Sequence, residues 1–184
     1  AIITFDENLA KIINQDLENS NIKANNLVAQ NLNGDQQFRL ICQLIDLINS
    51  NFKPQKLAFI LKKIQLKIAT SDEIDDFEIK ILRNILKSSD LSGINSKITQ
   101  NKQKFDWFFI FLDKFKEIID VFSQKKCKFS QILSTHIKLI ENLEIKTSDD
   151  INLFLQELTQ NCSKIGEIKP KYYLKLLTNF ASQA

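Results

Sequence analysis

The sequence predicts a mostly α fold of eight to ten helices, preceded by one N-terminal strand left over from an α/β motor-like domain. Three observations point there. Apolar residues recur at three- and four-residue spacing through most of the chain. Three Gly and two Pro in 184 residues leave little room for turn-rich all-β architecture. Only Ile2–Phe5, a β-branched and aromatic run, reads as a strand. A lone strand leaves its N–H and C=O groups without partners. Since the chain also contains no Met, it reads as an excised piece of a larger protein. The expected division is a strand–helix stub over 1–33 and a helical domain over 34–184.

Along the chain, Asp6 is an N-cap for a helix from about Glu7 to Asn19. The Asn-rich stretch to Gly34 reads as a loop. Asp35 opens a strongly apolar helix through Ser50, with Phe38, Ile41, Cys42, Ile45 and Ile48 on one stripe and Leu40, Leu44 and Leu47 on a second. Pro54 suits a first helical turn, and that helix is expected to reach Ile68. Ser71 or Asp72 caps the next, carrying Ile74, Phe77, Ile81, Leu82 and Ile85. Ser88–Ser96, with Gly93, reads as a loop. Lys104–Gln124 has the clearest pattern, a continuous face of Phe108, Phe111, Leu112, Phe115, Ile118, Ile119 and Phe122. A polar break at 125–128 precedes a helix over Ser130–Leu143. Thr147, Asp149 and Asp150 start another, and Gly166 and Pro170 set off a last helix with Tyr173, Leu174, Leu177 and Phe180.

Composition excludes several chemistries. Net charge is +3, too small by itself to argue for nucleic acid. Cys42, Cys127 and Cys162 are far apart and odd in number, as expected of reduced thiols in a cytoplasmic protein. No apolar run reaches the roughly 20 residues of a membrane span. Neither G-x-x-x-x-G-K-[ST] nor G-x-G-x-x-G occurs. His136 is the only His, which excludes a two-His metal site within the chain, and it reads as a surface or interface residue rather than a catalytic one. No cofactor or small-molecule substrate is expected.

Weaker signals remain. Glu78-Ile79-Lys80, Glu144-Ile145-Lys146 and Glu167-Ile168-Lys169 are E-x-K triplets, which a metal-dependent nuclease uses on a strand; here they fall in or at the ends of helical patterns. Trp107 with Phe105, Phe108, Phe109 and Phe111 is an aromatic cluster at helical spacing, expected to be core rather than a base-stacking platform. Lys62, Lys63 and Lys67 are the first candidates for DNA contact, because positions 63 and 67 would share a helix face; Lys125, Lys126 and Lys128 form a second basic run. Only Arg39 and Arg83 are Arg, so contact would be to phosphate rather than to bases.

Four stretches carry a resemblance. They are Ile2–Ala10 with Asn21-Ile22, Gly34-Asp35-Gln36-Gln37-Phe38-Arg39-Leu40, Phe52–Leu57 with Ile60-Leu61-Lys62, and His136–Leu143 with Phe154-Leu155-Gln156-Glu157-Leu158. Their order resembles an internal helicase-like region of the AddB-type subunit of bacterial double-strand-break repair helicase–nucleases. The resemblance implies a non-catalytic region that scaffolds a partner helicase motor subunit and guides DNA. The family's nuclease and iron–sulfur cysteines have no counterpart here, so no catalytic residue is carried over. The alternative is a helical protein–protein interaction module unrelated to DNA.

Overall fold

The computed structural model describes residues 16, 32–64, 66–85, 89–100 and 105–182. The chain divides into two compact units, Ala1–Gln30 and Asn31–Ala184. The expected strand Ile2–Phe5 and the expected loop to Gly34, up to residue 31, lie outside the described residues. So does the first helix, apart from Asp16.

Among the described residues the second unit is mostly helical, with nine α-helices, as the periodicity predicts. Helix α1 spans Gln36–Asn49 and begins where expected. The Asp35 carboxylate accepts from the backbone N–H groups of Gln37 and Phe38 at 2.7 and 2.9 Å, satisfying two donors of the first turn. Both of its apolar stripes turn inward: Phe38, Ile41, Leu44, Ile45 and Leu47 are all buried.

Helix α2 spans Pro54–Lys63 and stops five residues short of the expected Ile68. Ile64 turns to extended backbone and drives its side chain into the core. Burial of one large apolar side chain here outweighs another turn of exposed helix. Helix α3, Ser71–Lys80, is capped by Thr70 rather than by Ser71 or Asp72. The Thr70 hydroxyl accepts from the Glu73 N–H at 3.3 Å, and the Glu73 carboxylate accepts from the Thr70 N–H at 2.8 Å. This reciprocal capping box was written in the sequence as Thr70-x-x-Glu73.

The expected loop over Ser88–Ser96 is corrected to a helix over part of its length. Helix α4 spans Leu91–Gln100 and contains Gly93. Asp90 supplies the cap, accepting from the Ser92 and Gly93 N–H groups at 3.0 and 3.2 Å. A Cβ at position 93 would meet Ser89 Cβ at 3.0 Å, so here glycine permits close packing rather than a turn.

The continuous helix expected over Lys104–Gln124 is two helices, α5 (Asp106–Asp113) and α6 (Lys116–Phe122). Between them the Phe115 N–H donates to the Leu112 carbonyl three residues back, and Lys114 Nζ reaches the Asn142 carbonyl at 2.6 Å. The tighter turn keeps Phe115 in the core, edge-on to Phe52 at 5.3 Å.

The polar break contains a strand the sequence did not announce. β1 (Cys127–Lys128) pairs antiparallel with β2 (Glu167–Ile168). Two residues per strand are too few for alternation to be read. Between them lie α7 (Phe129–Asn142) and α8 (Asp149–Asn161), the latter capped by Ser148. Gly166, at φ +72°, makes the turn into β2, where other residues are strained. After a single 3-10 turn at Pro170–Tyr172, α9 (Tyr173–Ala181) closes the unit.

Candidate functional site

Lys62 lies in the last turn of α2, facing α3. Its ammonium pairs with Glu78 and lies 3.5 Å from Asp75. The hydrogen bond to Glu78 is the largest influence on it and raises its pKa. Glu78 is shared with Arg83, whose Nη2 lies 2.8 Å away; together the two cations hold the Glu78 carboxyl below its ordinary range. Lys67 is not on the α2 face with Lys63, because the helix has ended; it sits in the following turn and pairs with Glu144. Lys63 alone of the three lies over a ring, 5.8 Å from the centre of Phe59. The three lysines therefore do not form one helical patch, and two of them already face carboxylates.

The same contacts account for two E-x-K triplets. Glu78 and Glu144 are ion-pair partners, while Lys80 bridges to Asp76 on its own helix. Glu167 and Lys169 sit at and beside β2, exposed. Among the described residues no group of three His, Cys, Asp or Glu side chains could hold a metal ion.

His136 is corrected from surface to core: it is fully buried on α7. Its Nε2 lies 3.0 Å from the Ile41 carbonyl on α1, and its Nδ1 lies 3.0 Å from the Tyr173 hydroxyl on α9. A carbonyl can only accept, so Nε2 carries the proton and Nδ1 accepts from the tyrosine. Burial pushes the His136 pKa down to about 4, against the smaller opposing effect of the Ile41 bond. The imidazole is thus a neutral pin joining three helices, with no exposed edge for a substrate. Nothing in the sequence pattern distinguished it, because its partners lie 95 and 37 residues away. Beside it, burial pushes the Cys42 thiol up to about 12, which keeps it protonated and unreactive.

The aromatic cluster is core, as expected, with one exception. Phe105, Trp107, Phe108 and Phe111 are buried, and Phe77 of α3 packs against the first three at 4.6 to 5.3 Å. Phe109 is half-exposed, as is Ile110 beside it. Phe59, Ile79, Leu153 and Tyr172 are the other large apolar side chains exposed on the described surface. A cleft of about 330 Å³ lies between α1 and α9, bordered by Phe38, Arg39, Cys42, Gln43, Leu174 and Thr178. Arg39 is held across its rim by the Asn33 carbonyl at 3.0 Å.

No protein-family model, curated protein or solved structure matches this chain. None of the described helices is long and apolar enough to cross a membrane.

Proposed function

We propose that this chain is a non-catalytic, helicase-like region of a DNA double-strand-break repair helicase–nuclease subunit of the AddB type, which scaffolds the partner motor subunit and guides DNA. The observation that carries the reading is the order of the resembling stretches along one helical unit. Gly34–Leu40 leads into and opens α1, Phe52–Lys62 enters and forms α2, His136–Leu143 forms the second half of α7, and Phe154–Leu158 lies within α8. The side chains those stretches contribute include Phe38, Leu57, Ile60, His136 and Phe154, all buried, which supports reading them as a shared scaffold rather than as surface coincidences. Exposed Phe59, Phe109, Ile110 and Leu153 suit the protein contacts a scaffold needs.

The test is assembly. The gene product containing this chain is co-expressed with the helicase motor subunit of the same cell, with and without residues 34–184. The reading expects a stable complex that is lost on deletion. An undiminished complex overturns the scaffold role. A coding sequence without a C-terminal nuclease region and its four cluster cysteines overturns the family assignment and favours a protein–protein interaction module unrelated to DNA.

A further inference from the structure

The β1–β2 ribbon joins two basic stretches that are 40 residues apart in the chain. Cys127 faces Ile168 and Lys128 faces Glu167. The same antiparallel register continued by one residue sets Lys126 against Lys169. Lys125, Lys126, Lys128, Lys169, Lys171 and Lys175 are all exposed. Glu167 is the sole carboxylate within 123–130 and 162–175. No ion pair among the described residues engages these lysines, whereas Lys56, Lys62, Lys67, Lys80 and Lys138 each meet an acid.

The backbone adds to the positive field. Helix α7 has Lys128 at its N-cap position, with no side-chain cap and no acid in its first turn. Helix α9 starts beside the ribbon in the same way. Helices α1, α3 and α8 instead carry side-chain caps from Asp35, Thr70 and Ser148, α5 and α6 carry Asp106 and Glu117 in their first turns, and α2 shares with α7 and α9 the lack of both. The starts of α7 and α9 are each the positive end of a helix dipole, although the first N–H is already used: Phe129 donates to the Gly166 carbonyl at 3.0 Å and Tyr173 to the Pro170 carbonyl. Within the ladder Lys128 faces Glu167, and Lys126 and Lys169 lie just past its other end, where exposed positive charge has no facing acid. Tyr172 is half-exposed next to it, with Lys171 Nζ 5.1 Å from the ring centre.

We infer that the ribbon binds the phosphate backbone of a single-stranded nucleic acid, with Tyr172 stacking on a base. Lysines strung along an extended ribbon suit a repeating anion better than a single one, and a flat exposed ring beside them suits an unpaired base. The absence of Arg from both stretches fits sequence-independent contact. This inference stands on the ribbon and not on the family resemblance. Motor assembly tests that resemblance, while nucleic-acid affinity of the chain alone tests the ribbon.

The experiment is fluorescence anisotropy of the 184-residue chain with a labelled oligothymidylate and with duplex DNA, at about 50 mM salt. Lys126→Glu with Lys169→Glu is expected to weaken single-strand binding at least tenfold and flatten its salt dependence. Lys62→Glu with Lys67→Glu leaves it unchanged. Tyr172→Ala weakens the single strand about fivefold or more and spares the duplex. Lys169→Glu alone provides the folding control. Position 169 is exposed and lies just past the two-residue ladder, so thermal stability holds while affinity falls. Failure of the wild-type chain to bind, equal losses in the two double variants, or a polyglutamate that competes as well as the oligonucleotide would each overturn the proposal.

Discussion

At the α2–α3 edge, Lys62 and Arg83 converge on Glu78, and Lys67 reaches Glu144 from a turn. Around the β1–β2 ribbon, Lys125, Lys126, Lys169 and Lys171 are exposed and engaged by no ion pair among the described residues, and Glu167, opposite Lys128, is the sole carboxylate of the two stretches. The two regions read alike as sequence, each a short run of lysines between apolar residues. Their electrostatic character differs because the acids that neutralise the first come from a different helix or a distant turn. A lysine run therefore describes a field only once its spatial neighbours are known, and screening leaves only unpaired, clustered charges to act at a distance.

The contrast can be broken most forcefully through Phe129, the first residue of α7. It is fully buried, with ring centres 5.3 Å from Tyr173 and 6.0 Å from Phe180. Phe129→Ala should cost about 3–5 kcal/mol in a denaturant titration. Nucleic-acid affinity should fall although every lysine remains. Retained affinity would mean the lysines act without the ribbon's geometry.

Acid should separate the regions by pH window. His136 has its pKa lowered from 6.5 to about 4, so the unfolded chain takes up this proton first as pH falls. Its contribution is complete above about pH 6.5 and is lost progressively towards pH 4, on the order of 3 kcal/mol in all. Glu78, lowered by Lys62 and Arg83, contributes above its ordinary 4.5 and loses that contribution as pH falls below it. Hydrogen exchange at 167–173 should therefore quicken between pH 6.5 and 4, while 74–80 responds only below about 4.5. His136→Gln should abolish the first window. Simultaneous loosening of both segments would refute the separation.

A milder change is Gly166→Ala. No atom lies within 4 Å of an added Cβ, so its cost is that of a left-handed backbone, about 1–2 kcal/mol. The effect should be confined to the ribbon, visible as faster exchange at Phe129, whose N–H donates to the Gly166 carbonyl at 3.0 Å. The smallest effect belongs to Lys62→Ala. Its ammonium is solvent-exposed, so the thermal midpoint should barely move, and what movement there is should vanish at about 0.5 M salt. A large, salt-resistant loss would show that the α2–α3 ion pairs are structural rather than superficial.

Legibility followed the range of the interactions. The cap at Asp35, Pro54 at a helix start and the stripes of α1, α7 and α9 depend on neighbours within one or two turns, and the sequence states them directly, whereas the equally local Thr70 cap falls one or two residues before the expected Ser71 or Asp72. The end of α2 at Lys63, the break at Lys114–Phe115 and the helical Gly93 were set by packing: Ile64 and Phe115 had a core to enter, and Ser89 needed the space of a missing Cβ. The ribbon register and the burial of His136 depend on residues tens of positions apart. By itself the sequence determined the helical class and most helix positions, because periodicity and capping are local. Apart from the local pair Lys80–Asp76, tertiary structure decided which lysines are neutralised and which stand bare, because charge neutralisation depends on distance in space.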